Sequence, residues 1–187
     1  KTAYEIPKRD WSSDVCSSDL GDGYTLLANS QPLAVNPALF AKMPYDVERD
    51  LAPVCLLTSA PYVFVVHPSL PVRSMQELLA LARAKPGAIN YASGGTGTNF
   101  HIAIELLQSL THTRLTHVPY KGGGMALASV LAGETSLTIP SVATALPHIG
   151  SGRVRVLAIS SAKRSPLLAT APTAAESGAP GYEFSAW

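Results

Sequence analysis

Charge, cysteine and long apolar runs are all scarce in this sequence, and each scarcity removes a class of function. Charged residues make up only 14% of the chain, and 14 Lys and Arg against 13 Asp and Glu leave a net charge of +1. The basic residues are scattered rather than striped, so a nucleic acid partner is excluded. Two cysteines, Cys16 and Cys55, do not make a disulfide framework. They leave the compartment open, since periplasmic proteins can also do without disulfides. The longest apolar runs, such as residues 62–66, fall far short of the roughly 20 residues needed to cross a bilayer, so membrane insertion is not expected. No close acidic pair stands at a strand end for glycoside hydrolysis, and no G-x-S-x-G elbow occurs. The five histidines have no carboxylate or Cys at zinc-ligand spacing. Neither a metal nor a cofactor is expected.

With 47% hydrophobic residues over 187 positions, the chain is globular and can bury a core as one domain or two small ones. Residues 1–20 stand apart. They have no basic start and apolar centre of a signal peptide, and the run WSSDVCSSDL resembles translated sequencing-adapter read-through. This leader is set aside as non-native or disordered, and Trp11 and Cys16 are given no role.

From Gly21 onward the pattern is orderly. Asp22-Gly23 is a turn, residues 24–28 (YTLLA) read as a buried strand, and Asn29-Ser30-Gln31-Pro32 is a polar break. A short helical stretch follows over 33–40, then a strand-like apolar run over 53–57 and a clear buried strand over 62–66. Residues 74–85 form the best-signalled helix: Ser74 is its N-cap, Glu77 closes a capping box, and Pro86-Gly87 ends it. Its apolar face is Met75, Leu78, Leu79 and Ala82. Further strands are expected at 89–92, 115–118, 136–139, 154–160 and from 182 onward, with helices at 100–110, 125–132 and 142–149. Strands alternating with helices over short connections predict a mostly parallel α/β sheet.

The stretch around which the rest is organised is residues 89–110, INYASGGTGTNFHIAIELLQSL. A strand runs into Ser93-Gly94-Gly95-Thr96-Gly97-Thr98-Asn99 and then into a helix. Glycines allow positive φ and close approach of a ligand, and the first N–H groups of the helix lack intrahelical partners. With no acidic residue among them, the turn can cradle an anion. The competing reading is that Thr98 or Asn99 simply caps the helix. Neither a P-loop nor a dinucleotide fingerprint is present, because no Gly-Lys-Ser/Thr follows and Phe100 stands where a third glycine should be. Lys121-Gly122-Gly123-Gly124 is a second glycine cluster before a helix, whose other reading is a solvated lysine beside a flexible turn. His101, just inside the helix, is the one nearby candidate for a general base.

Read in order, several motifs resemble the Bug family of tripartite tricarboxylate transport receptors, which are extracytoplasmic solute-binding proteins. They include Asp22-Gly23-Tyr24-Thr25-Leu26-Leu27, Pro44-Tyr45-Asp46, Asp50-Leu51-Ala52-Pro53-Val54 and Val65-Val66-His67-Pro68. They continue as Asn90-Tyr91-Ala92-Ser93-Gly94, His117-Val118-Pro119-Tyr120-Lys121-Gly122, Ala145-Leu146-Pro147-His148-Ile149 and Ala171-Pro172-Thr173. The resemblance covers residues 22–187. It implies a two-lobed, type II periplasmic-binding-protein-like α/β fold that closes on a small carboxylated solute and passes it to membrane transporter subunits, without catalysis. It further implies a periplasmic location and a monomer.

In that picture residues 21–68 belong to lobe 1, 69–155 form lobe 2, and 156–187 return to lobe 1, the fold being truncated at both ends. Solute binding is then expected to be weak or absent in the isolated chain. The implied ligand-binding residues are Ser93, Gly95, Thr96, Thr98 and Asn99 in the second-lobe loop and Ser30 and Gln31 in the first-lobe loop, with Tyr120 and Ser141 lining the cleft. Pro140-Ser141-Val142 stands where relatives often carry Asp or Asn, which leaves the solute's identity open. Two alternatives remain at this point. One is the effector-binding domain of a transcriptional regulator, which shares the two-lobed architecture, and the other is an anion-handling enzyme that uses His101.

Overall fold

The computed structural model describes residues 26–39 and 45–187, which fall into two compact units, Lys1–Leu56 and Leu57–Trp187. The leader, the Asp22-Gly23 turn and Tyr24 lie outside the described residues. In the first unit, helix α1 (Pro32–Leu39) occupies the expected helical stretch, and the single turn α2 (Val47–Asp50) follows. Asp46 caps α2, its side chain accepting from the N–H groups of Glu48 and Arg49.

Two strand expectations fail in this part of the chain. Residues 26–28 carry no strand and Leu26 is 75% exposed; residues 53–57 carry none either, and Val54 and Leu57 are 78% and 77% exposed. An apolar run becomes a strand only when a neighbour completes its hydrogen-bond ladder and covers its face. Among the described residues no strand pairs with either run.

The second unit is a five-stranded sheet in the order β4-β3-β5-β2-β6, with β2 at Val63–Val66, β3 at Asn90–Ser93, β4 at Thr116–Pro119, β5 at Leu137–Thr138 and β6 at Arg155–Ile159. β3 runs parallel to β4 and β5, while β2 runs antiparallel to both β5 and β6. Four strands therefore share one direction and β2 opposes them, which refines the expected mostly parallel sheet. A separate two-residue strand β1 (Ala60–Pro61) pairs antiparallel with β7 (Ser185–Ala186).

Helices cover both faces. Alternation along β2 sends Phe64 and Val66 to one side and Val63 and Val65 to the other, all four fully buried. Phe64 and Val66 meet α3 (Met75–Ala84), α4 (Asn99–Thr111) and the C-terminal residues Tyr182 and Phe184. Val63 and Val65 meet α5 (Gly123–Leu131) and α6 (Val142–Gly150). α3 follows the sequence closely: Ser74 Oγ accepts from Glu77 N–H at 3.2 Å, and Met75, Leu78, Leu79 and Ala82 are its buried residues. The Glu77 carboxylate reaches one residue beyond the cap, to Arg73 N–H at 2.6 Å.

Ser160 joins the C-terminal segment to the sheet. Its Oγ accepts from Tyr62 N–H at 2.8 Å and donates to the Phe184 carbonyl at 2.5 Å, in a fully buried position. Ser160→Ala leaves a buried donor and a buried acceptor unsatisfied, so a loss of about 1–3 kcal/mol is expected in urea unfolding. A loss below about 0.5 kcal/mol would show that water replaces both bonds at little cost.

Candidate functional site

β3 and β4 end side by side, Ser93 opposite Pro119, and each runs through a glycine turn into a helix. Gly95 and Gly97 in the first turn and Gly122 in the second have φ of 125°, 79° and 110°, a region that side chains enter only with strain. The two turns touch through their backbones: Gly122 N–H donates to the Gly94 carbonyl at 3.2 Å and Tyr120 N–H to the Ser93 carbonyl at 2.9 Å. A Cβ on Gly94 would lie 3.1 Å from the backbone of Gly122 and Gly123, and one on Gly123 would lie 2.9 Å from the Phe100 ring. The lack of a side chain at Gly94 thus lets the two turns approach this closely.

Both helices that leave these turns begin without a side-chain cap. Thr98 occupies the N-cap position of α4, but its hydroxyl donates back to the Gly95 carbonyl at 2.7 Å instead of accepting from the helix. Gly122 at the head of α5 has no side chain to offer. By contrast Ser141 caps α6, accepting from Thr144 N–H at 3.2 Å. The first N–H groups of α4 and α5 are left with no side chain to bond them, and the partial positive charge of each helix N-terminus is not offset by an acidic residue in the first turn. The capping alternative therefore does not describe Thr98.

The remaining candidates divide by position. Ser93 is 0% exposed; its Oγ accepts from Gly95 N–H at 3.1 Å and holds the turn's shape. Thr96 is exposed at the tip. Asn99 is half-buried and donates from Nδ2 to the Tyr62 hydroxyl at 3.0 Å, while its Oδ1 is buried with no hydrogen-bond partner. Tyr120 packs partly against the α5–α6 side of the core and Lys121 is exposed. Ser141 lies at the same edge, in an isolated antiparallel bridge to Tyr62. Ser30 and Gln31 belong to the other unit, just before α1, where their carbonyls accept from Leu33, Ala34 and Val35.

Tyr62 was not evident as a site residue from the sequence. Because β2 runs against its neighbours, its amino end lies where β3, β4 and β5 have their carboxyl ends. Val63 N–H donates to the Pro140 carbonyl at 2.9 Å, and the Tyr62 ring stands edge-on to Phe100 at 5.5 Å. Periodicity identifies a strand but not its direction; the polar tip on a wholly apolar run was the available signal.

Beneath the first turn lies a second group that sequence spacing did not assemble. The His101 and His117 rings are 4.4 Å apart, Tyr91 stacks on His117 at 4.9 Å, and Tyr91 donates its hydroxyl hydrogen to Glu105 at 2.7 Å. His117 Nε2 is 2.5 Å from Ser93 Oγ. A Ser–His pair suggests a nucleophile and its base, but this serine is buried and already bonded to its own turn. Parallel register explains the gathering, since Tyr91 pairs with His117 across β3 and β4.

Burial, helped by the nearby His101 and opposed by Glu105, lowers the His117 pKa from its ordinary 6.5. Folding therefore favours the neutral ring. The unfolded chain binds more protons between the two pKa values, so this contribution is fully present above about pH 6.5 and is lost as pH falls through the folded value. The melting temperature is expected to fall between pH 7 and 5, before Glu176 titrates, since the Thr173 N–H and Arg164 hold that carboxylate below its usual range. A flat profile over that interval in thermal unfolding would contradict the assignment.

Residues 13–187 match the family described as the tripartite tricarboxylate transporter family receptor. The chain belongs to that family. It is 38% identical to the protein BugT of Bordetella pertussis, over 94% of this chain and 54% of that protein. Among solved structures, it resembles Rhodopseudomonas palustris Rpa4515 with adipate (36% identity, TM-score 0.72, 79% of this chain and 50% of the other). It also resembles MatC of the same organism with bound malate (30% identity, TM-score 0.73, 83% and 52%).

The receptor-family chain spans about half the length of the relatives it matches. Its α/β fold is of the periplasmic solute-binding type, and the family consists of periplasmic solute-binding proteins rather than enzymes. Among the described residues no helix is long and apolar enough to cross a membrane. His101 accordingly needs no role as a catalytic base.

Proposed function

We propose that this chain serves an extracytoplasmic receptor that captures a small carboxylated metabolite in the periplasm, as a monomer, and delivers it to the membrane subunits of a tripartite transporter. The observation that carries this reading is the pair of touching glycine turns, each leading into a helix whose N-terminus no side chain caps. A carboxylate bonded by several backbone N–H groups makes short, strong, charge-assisted contacts. Adipate and malate, bound by the two related structures, are both dicarboxylates.

In this reading Gly95, Thr96, Thr98 and Asn99 contact the solute, Ser93 shapes their turn, and Tyr120 and Ser141 flank it. Ser30 and Gln31 are the candidates for solute contact in the first unit. The lobe formed by residues 69–155 also takes in the strands at 63–66 and 155–159, which complete its sheet. Lobe closure would exclude water from the bound anion.

Thermal shift against mono-, di- and tricarboxylates tests the reading, run on this chain and on the complete gene product because relatives are about twice as long. A true solute at 100 times its Kd adds about 2.7 kcal/mol of stability. Absence of any shift from the whole panel on the complete product would refute the proposal.

A further inference from the structure

We propose that the imidazole pair His101 and His117 is the titratable cation of this site: a dicarboxylate dianion settling on the glycine turn draws one proton from solvent onto the pair. The inference rests on the receptor reading and adds to it a charge beneath the first turn, where residues 89–110 contain no Arg or Lys; Lys121, in the second turn, is exposed.

The geometry ties both rings to the turn. Gly97 N–H donates to His101 Nδ1 at 3.3 Å, which makes that nitrogen an acceptor and places the ring's own proton on Nε2, 3.9 Å from Glu105. His117 meets the turn through Ser93 Oγ, which itself accepts from Gly95 N–H. One of the turn's N–H groups thus ends on an imidazole directly, and Ser93 Oγ, which also donates to the Gly95 carbonyl at 3.1 Å, joins the second imidazole to the turn.

The groups facing the pair from its neighbours are few. β3 contributes Tyr91 and α4 contributes Glu105, while His101 and His117 face each other. Tyr91 stays protonated, because burial and its bond to Glu105 push its pKa far up. Two imidazolium rings 4.4 Å apart repel, so the pair takes one proton and not two. Without solute, burial and the adjacent ring keep His117 neutral at pH 7.

An anion on the turn reverses that balance, since a nearby opposite charge favours the imidazolium. A proton arriving at His101 Nδ1 also ends its acceptance from Gly97. The Gly97 N–H is then free for a new acceptor and the ring becomes a donor, so one proton converts an internal bond into two donors. Glu105 offers the imidazolium a counter-charge on the far side of the ring.

Calorimetric titration of the complete gene product with malate and with adipate, at pH 7 in Hepes and in Tris, reads the proton directly. The binding enthalpy is expected to differ between the buffers by the ionisation enthalpy of about one proton, and affinity to weaken by up to about tenfold per unit as pH rises. The double variant His101→Gln, His117→Gln should bind with no buffer dependence. Binding with identical enthalpies in the two buffers overturns the inference alone, as does uptake that persists in the double variant. If neither malate nor adipate binds, the inference falls together with its receptor premise for dicarboxylates.

Discussion

Thr96→Asp is expected to erase the stabilisation that a carboxylate ligand confers while leaving the unliganded protein as stable as before. Thr96 is exposed at the tip of the first turn and bonds to nothing, so its replacement should move unliganded stability by less than about 0.5 kcal/mol. A carboxylate near the uncapped start of α4 even complements the helix dipole, worth some 0.3–1 kcal/mol. Against a bound anion the same charge is repulsive. At about 4 Å and an effective dielectric near 20 that repulsion is roughly 4 kcal/mol, more than the ~2.7 kcal/mol gained at 100 times Kd. Thermal shift with saturating malate or adipate should therefore drop to zero in the variant. A shift equal to wild type would place the carboxylate elsewhere.

Tyr62→Ala is expected to cost about 3–5 kcal/mol of stability, because its buried ring fills the space between Phe100 and Phe184 and the surroundings cannot collapse onto the gap. Tyr62→Phe separates packing from polarity. The ring remains and only the acceptor for Asn99 Nδ2 goes, so the loss should be near 0.5–1.5 kcal/mol. Affinity should weaken as well, since the Asn99 amide loses the bond that fixes its rotation. Urea unfolding of the two variants decides the matter: equal losses would mean that the hydroxyl, and not the ring, holds the site together.

How far the sequence could be read depended on whether the signal was local. α3 was legible almost to the residue because Ser74, Glu77 and the Met75, Leu78, Leu79, Ala82 stripe all lie within one helix. The turn at 93–99 was legible because glycine spacing between a strand and a helix is a local pattern. Residues 26–28 and 54–57 have the same apolar composition as β2, but composition carries no information about a partner strand, and their exposure shows the difference. Strand direction was equally hidden, and with it the place of Tyr62 beside Asn99. The His101–His117 contact depends on parallel register between β3 and β4, a relation between segments that no spacing within either one encodes.

The pair of glycine turns as the solute's carboxylate cradle is tested most directly by backbone amide NMR of the complete gene product during titration with malate. In such a cradle the amides of Gly95, Thr96, Gly97, Asn99 and Phe100 at the first turn, and of Gly122, Gly123 and Gly124 at the second, are expected to shift together and saturate at one equivalent. Saturable shifts confined to other parts of the chain, with these amides unmoved, would contradict it.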